Sequence, residues 1–197
     1  MFITVSGGMG ARPVKDGLSA VSFPANIAGV PVEVWETTIP VLVHRRALVP
    51  DSGGPGRLRG GLGQVVEFSM PEFERWLANL LTDRVRFPAR GALGGLPGAG
   101  GRVSTLDDQP LPAKGRVHTG RADGIRLVTP GGGGWKPPWE RDPEMVAEDV
   151  REGFVSREAA LEVYGVALDA AGNVLWPETI SRRTRYANMG KEVANDG

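Results

Sequence analysis

The stretch DSGGPGRLRGGLG at positions 51–63 decides how this sequence is interpreted, because six of its thirteen residues are glycine. Successive backbone N–H groups freed by glycine can line a concavity that binds an anion. Arg57 and Arg59 add two guanidinium groups that could pair with a carboxylate or phosphate. The alternative is a tight turn whose arginines bind carboxylates of neighbouring loops. A loop this rich in glycine also predicts positive φ among Gly53, Gly54, Gly60 and Gly61.

Two other glycine blocks flank this stretch, GGMGAR at 7–12 and TPGGGGW at 129–135. The whole sequence of 197 residues holds 29 glycines and 16 prolines, with apolar residues interleaved throughout. This composition predicts ordered turns and backbone-built surfaces rather than flexible linkers. Close packing of the four consecutive glycines against another segment is favoured over catalysis.

Short apolar runs separated by turn residues predict β-strands through most of the chain. The predicted strands are Val32–Trp35, Ile39–Val43, Leu62–Phe68, Leu77–Leu81 and Ile125–Val128. The fold class is therefore α+β and mainly β, with strands joined by long ordered glycine-rich loops and a C-terminal helical hairpin.

The helical hairpin is predicted from capping residues. Asp142 precedes Pro143 as an N-cap, Gly153 can end the first helix, and Ser156 caps a second helix that reaches Tyr164 before Gly165. We expect three regions that together form one domain. They are a β-rich glycine-loop region at 1–140, the helical hairpin at 141–168, and at 169–197 a β-hairpin followed by a loosely ordered tail.

Charge and composition exclude several classes of partner. Lys plus Arg and Asp plus Glu both number 23, so no excess of positive charge exists to bind nucleic acid or an anionic membrane. No apolar run is long enough to span a bilayer. Cysteine is absent, which fits a reducing compartment, and we expect a cytoplasmic protein.

Familiar catalytic motifs are missing from the sequence. There is neither a GxxxxGK[ST] phosphate loop nor a GxSxG nucleophile elbow, and Ser52 is interpreted as a turn residue. His44 and His118 are the two histidines, so a three-histidine metal site is impossible and we predict no metal site. A complete site would have to be sought among Asp16, Glu33, His44, Asp51 and His118.

No catalytic residue is assigned from the sequence. The candidates for binding a substrate or an anion are Arg12, Asp16, Glu33, Asp51, Gly53, Gly54, Arg57 and Arg59.

The order of several blocks resembles the hydantoinase B/oxoprolinase family. The blocks are GGMGARPVKDG, Asn26 followed by PVEVWE, DSGGPGRLRGGLGQ, DRVRFPARGALGG, PGGGGW and ERDPEMVAEDVREGFVSREAALEVYGV. The resemblance runs from Ser6 to Leu168 and indicates the C-terminal portion of such a subunit. One departure is that GGGGW is followed by Lys136, Pro137 and Pro138, where relatives place Gly, Asp and Pro.

The resemblance implies a part in ATP-dependent hydrolysis of a cyclic amide such as hydantoin or 5-oxoproline. Two alternatives are a component of an ATP-dependent ketone carboxylase and a non-catalytic module that stabilises an assembly. The implied partners are a hydantoinase A-type subunit, which handles ATP, and an N-terminal portion that carries the metal ligands. ATP and a divalent metal are thus implied for the complete assembly, and we expect this chain to bind no cofactor and to be inactive alone.

Overall fold

The computed structural model describes residues 3–25, 27–120 and 123–195, with side chains as far as 186. Asn26 of the family blocks and the side chain of Lys191 in the tail lie outside the described residues. The helices are α1 (Val32–Thr38), α2 (Pro143–Arg151), α3 (Arg157–Glu162) and α4 (Trp176–Asn195), with a 3-10 turn at Pro138–Glu140. The strands are β1 (Leu42–Leu48), β2 (Gln64–Ser69), β3 (Arg75–Leu81), β4 (Arg102–Thr105), β5 (Lys114–Gly120) and β6 (Gly124–Val128).

The strands form two antiparallel sheets, which confirms the predicted α+β class. One sheet has four strands in the order β1-β2-β6-β4, and β3 and β5 form a separate two-stranded ribbon. Phe68 of β2 and Trp76 of β3 pack with their ring centroids 6.1 Å apart, so the main core lies between the sheet and the ribbon. None of the helices among the described residues is long and apolar enough to cross a membrane.

The glycine blocks pack against one another in what we call the glycine bundle, made of segments 7–11, 52–61, 89–99 and 130–136. Gly132 donates its N–H to the carbonyl of Gly61 at 2.9 Å and accepts from the N–H of Gly54 at 2.7 Å. The next two carbonyls, those of Gly133 and Gly134, accept from Ala11 and Ala92. Segment 130–136 is therefore hydrogen-bonded to all three of the others, and the predicted ordered packing of these loops is confirmed.

The prediction of positive φ within residues 53–61 is wrong. None of Gly53, Gly54, Gly60 and Gly61 has a positive φ. A Cβ on Gly60 would lie 2.1 Å from the carbonyl oxygen of Gly132, and one on Gly53 would lie 2.1 Å from that of Gly60. These positions require glycine because backbones approach one another closely, not because the chain turns left-handed.

The first predicted strand, Val32–Trp35, is instead the start of helix α1. Pro31 is the N-cap of α1, and Trp35, which is 2% exposed, anchors the helix to the core. The β-branched residues that suggested a strand remain on the surface, where packing does not enforce their preference. The second predicted strand, Ile39–Val43, shares only its last two residues with β1, because Ile39 is the C-cap of α1 and Pro40 has no N–H to donate to a ladder.

Strands β4 and β5 were not predicted from the sequence. β5 carries Val117 as its one large aliphatic residue, and β4 follows directly on Gly100 and Gly101, so neither shows a clear apolar alternation. Both form because they complete hydrogen-bond ladders, β4 with β6 and β5 with β3. The other three predicted strands correspond to β2, β3 and β6.

The capping signals of the helical hairpin are confirmed. Asp142 accepts a hydrogen bond from the N–H of Glu144, and Ser156 accepts one from that of Ala159. Gly153 and Gly165 have φ of 72° and 66°, the left-handed conformation that ends a helix. Helix α3 ends at Glu162, two residues before the predicted end.

The tail differs from the prediction of a loosely ordered segment. The expected β-hairpin is reduced to one bridge between Leu168 and Val174, and helix α4 begins at Trp176. Within α4, Arg183 donates to the carbonyl of Tyr164 and Tyr186 donates to that of Glu162. These bonds satisfy carbonyls at the end of α3, which is why the described part of the tail is docked.

Candidate functional site

Four charged residues from distant parts of the sequence meet beneath the helical hairpin. Asp16 follows the first glycine block, Arg59 lies in the second, Arg141 precedes α2, and Asp149 lies within α2. We call this group the buried charge cluster. Two of its members, Asp16 and Arg59, are among the candidates taken from the sequence.

Arg141 is the centre of the buried charge cluster. Its Nη1 and Nη2 donate to the two carboxylate oxygens of Asp16 at 2.9 and 2.8 Å, a bidentate pair. Its Nη2 also lies 2.8 Å from Asp149 Oδ2, a charge pair that lacks hydrogen-bond geometry. Arg59 completes the cluster, with Nη2 at 3.2 Å from Asp149 Oδ1 and its backbone N–H at 2.7 Å from Asp16 Oδ1.

Burial makes the electrostatics of this cluster strong. The side chain of Arg141 is 1% exposed, and those of Arg59 and Asp149 are almost as inaccessible. Burial by itself would raise the pKa of Asp16. The hydrogen bonds and charge of Arg141, together with the N–H of Arg59, outweigh burial and hold that pKa below its usual value. Burial also raises the pKa of the neighbouring Tyr164 hydroxyl, which stays protonated.

Two cations and two anions balance one another, so the cluster is formally neutral. A carboxylate with a lowered pKa, already bonded through both oxygens, is a poor general base at neutral pH. Among the described residues, no group of three or more His, Asp or Glu side chains could hold a metal ion. Both carboxylates of the cluster are paired with arginines, so its chemistry is that of a structural lock between the glycine bundle and α2.

The remaining basic candidates occupy different environments. Arg57 has an exposed side chain, while its backbone N–H donates to the carbonyl of Lys136. Arg12 donates from Nη2 to the carbonyl of Asp16 at 3.3 Å. Its Nε is buried and has no hydrogen-bond partner among the described residues. Gly54 uses its N–H within the glycine bundle, and Gly53 is buried beside it. Substrate or anion binding by these residues stays a prediction.

Apart from Asp16, the acidic candidates and the two histidines lie outside the buried charge cluster. Asp51, which directly precedes segment 52–61 of the glycine bundle, accepts a hydrogen bond from the N–H of Ser156 in the helical hairpin. Glu33 is exposed on α1. His44 lies on β1 and shares a hydrogen bond with the hydroxyl of Ser69 on β2. His118 lies on the two-stranded ribbon, at the edge of a cleft of about 340 Å³.

Ser52 is confirmed as a turn residue. It is 2% exposed, and its hydroxyl donates to the carbonyl of Val49 while accepting from the N–H of Gly63.

Sequence reasoning missed Arg141 and Asp149. The available signal was the position of Asp149, three residues after Val146 on the buried face of α2. A carboxylate on the inward stripe of a helix is seldom buried without a cationic partner. That signal predicts an arginine contact, although it does not say which arginine.

A second cleft, also of about 340 Å³, opens at one side of the glycine bundle. Its lining includes residues 7–10 and 130–132 together with Phe23, Asp83 and Arg84. None of the eight candidate residues lines it.

Comparison with known proteins places this chain in a family. The sequence profile described as hydantoinase B/oxoprolinase matches residues 1–138. The chain belongs to the hydantoinase B/oxoprolinase family. The resemblance noted from the glycine blocks is thereby confirmed, and Asp16 and Arg59 lie within the matched region whereas Arg141 and Asp149 follow it.

Relatives within the hydantoinase B/oxoprolinase family are much longer than this chain. Caprolactamase subunit beta from Pseudomonas jessenii is 32% identical over an alignment of 208 positions, which covers 94% of this chain and 34% of that protein. 5-Oxoprolinase 1 from Arabidopsis thaliana is 35% identical over 141 residues, 68% of this chain and 11% of the relative. The crystal structure of ATP-dependent caprolactamase from Pseudomonas jessenii superposes with a TM-score of 0.72 and 29% identity, covering 91% of this chain and 33% of that one.

Proposed function

We propose that this chain is the scaffold portion of a hydantoinase B/oxoprolinase-type subunit that takes part in ATP-dependent hydrolysis of a cyclic amide. The observation that carries the proposal is the match of residues 1–138 to the family, together with the likeness of fold to ATP-dependent caprolactamase. Caprolactam and 5-oxoproline, the substrates that two relatives are named for, are both cyclic amides. Their shared chemistry supports this substrate class.

The scaffold role follows from how the charged residues are used. Asp16, Arg59, Arg141 and Asp149 neutralise one another, and the glycine bundle bonds its backbone groups internally. Such groups stabilise a fold but offer little to a reacting molecule. The catalytic groups and the metal ligands are therefore assigned to the rest of the subunit, and ATP to a hydantoinase A-type partner.

Arg57 is the candidate that we retain for contact with a substrate or anion. Its guanidinium is exposed at the rim of the glycine bundle, whereas the guanidinium of Arg59 forms an ion pair with Asp149. A guanidinium left in solvent can still form a bidentate pair with an anionic group. The assembly is proposed to work in the cytoplasm, the compartment that the composition favours.

The second candidate function is a non-catalytic interaction module. An interaction module is expected to have arginines that face protein carboxylates. Arg59, which pairs with Asp149, is the observation that favours it. The two candidates differ in whether the chain is needed for turnover or only for the mass of the assembly.

Reconstitution tests the proposal. The purified chain would be assayed alone and together with the remaining portion of a hydantoinase B-type subunit and an A-type subunit, using 5-oxoproline and hydantoin with and without ATP. We expect ATP-dependent ring opening only in the complete mixture. Arg57→Ala should lower this activity while leaving the unfolding midpoint of the chain unchanged.

Two outcomes would contradict the proposal. Metal-dependent turnover by a monodisperse monomer of this chain alone would overturn the scaffold role. Full turnover by the other components without this chain, accompanied by a smaller mass in light scattering, would favour the interaction module instead.

A further inference from the structure

The two-stranded ribbon of β3 and β5 has two faces of different character. Trp76 and Leu80 of β3 and Thr119 of β5 are buried and point towards the core. The alternate residues point outward and are exposed, as the two-residue period of a strand requires. We call these outward residues the outer face; they are Arg75, Leu77, Asn79 and Leu81 of β3 and Lys114, Arg116 and His118 of β5.

Two leucines form the apolar part of the outer face. The side chains of Leu77 and Leu81 are 50% and 67% exposed. The strand register places Leu77 opposite His118 and Leu81 opposite Lys114, with Asn79 opposite Arg116 between them. Apolar side chains therefore lie among basic and polar ones over one continuous surface.

The charge of the outer face is unbalanced, although the chain as a whole has a formal net charge of zero. Arg75, Lys114 and Arg116 are cationic at neutral pH. The carboxylates beside them are Asp83, which pairs with Lys114 at 2.6 Å, and Glu74 in the cleft next to Arg75. Arg116 has no ion-pair partner among the described residues.

We propose that the outer face docks onto the part of a hydantoinase B-type subunit that this chain does not span, at a surface that offers apolar side chains and carboxylates. The inference rests on the proposed function. In the caprolactamase structure the same fold accounts for 33% of the chain, so about two thirds of that protein is available to cover surfaces that are open here. A surface with exposed leucines among cations is typical of a protein interface, where apolar contact supplies affinity and charge fixes the partner.

Co-expression tests the inference without requiring either part to fold alone. The full chain would be expressed with tagged caprolactamase subunit beta from which the matching region has been deleted, and the ratio of the two proteins after purification would be measured. The double variant Leu77→Glu with Leu81→Glu should lower that ratio about tenfold or more, since an interface leucine replaced by a carboxylate loses its contact and meets like charge. Arg116→Glu should lower it as well.

Leu42→Glu is the matched control, because Leu42 is an exposed strand leucine of the other sheet, with 45% of its surface accessible. Its ratio should equal that of the wild type. Urea midpoints within error of the wild type would show that all variants fold.

The inference is overturned by any of three results. The first is that the wild-type chain does not co-purify with the truncated subunit. The second is that the outer-face variants co-purify as well as Leu42→Glu does. The third is that the outer-face variants keep this co-purification but lose binding to an A-type subunit or to anionic phosphatidylglycerol vesicles. The proposed function is judged separately by the turnover assay, so either conclusion can fail without the other.

Discussion

Arg141 and Asp16 form a bidentate ion pair across 125 residues of sequence, with N to O distances of 2.9 and 2.8 Å. The pair joins the turn after the first glycine block to the residue before the N-cap of α2. Asp149 and Arg59 extend it into a neutral cluster of four charges. The helical hairpin is thus fastened to the glycine bundle by charge, and Arg59 also lies over the ring of Phe154 at 5.2 Å.

Removing one member of this cluster should be strongly destabilising. Asp149→Ala leaves Arg141 and Arg59 in a buried site with a single carboxylate, and breaking a buried pair in this way typically costs about 3–5 kcal/mol. Urea denaturation would measure the change. Lys114→Ala, which removes an exposed ion pair with Asp83, is the control and should leave the denaturation midpoint nearly unchanged; equal losses of stability in the two variants would contradict the structural lock.

The stability of the chain should fall in acid because of Asp16. Its folded pKa is held below the usual 3.8, so its contribution is fully present above that value and is lost as the pH falls through the folded pKa. We expect a fall in unfolding free energy below about pH 4. Asp16→Asn should be less stable at pH 7 and should show a shallower fall, whereas a wild-type slope in that variant would exclude Asp16 as the cause.

Glycines of the same block should respond in opposite ways to alanine. A Cβ on Gly8 would lie 1.9 Å from the carbonyl oxygen of Gly61, but one on Gly10 would be 3.8 Å from its nearest neighbour. Gly8→Ala should therefore force the glycine bundle apart and cost about 1–3 kcal/mol or more. Gly10→Ala should be neutral or stabilising by up to about 1 kcal/mol. Thermal unfolding compares the two, and similar losses would argue against close packing as the reason for glycine at position 8.

Loss of the cap of α2 should be measurable. Asp142 accepts the N–H of Glu144 at 3.0 Å, and replacing such a cap by alanine costs about 0.5–2 kcal/mol. Glu148→Ala, at an exposed position within the same helix, is the control. An unchanged denaturation midpoint in Asp142→Ala would show that the cap contributes nothing.

Much of the helical hairpin could be predicted from the sequence because its signals are local. A cap such as Asp142 or Ser156 acts on an N–H two or three residues away, and Gly153 ends a helix through its own backbone. The order of the glycine blocks likewise sufficed to identify the family. Strand β2 was predictable too, since it carries Val65 and Val66 followed by Phe68, residue types that favour strands.

The tertiary structure alone decided the roles of the charged and glycine residues. Arg59 meets Asp149 across 90 residues, and Gly60 faces Gly132, so the partner that fixes each role is remote in sequence. The same holds for Val32–Thr38, which becomes a helix because Trp35 has a place in the core, and for Arg183 and Tyr186, which dock the tail onto α3. Local sequence determines which conformations and contacts a residue can adopt, but the free energy that selects among them comes from atoms that only the folded chain brings near.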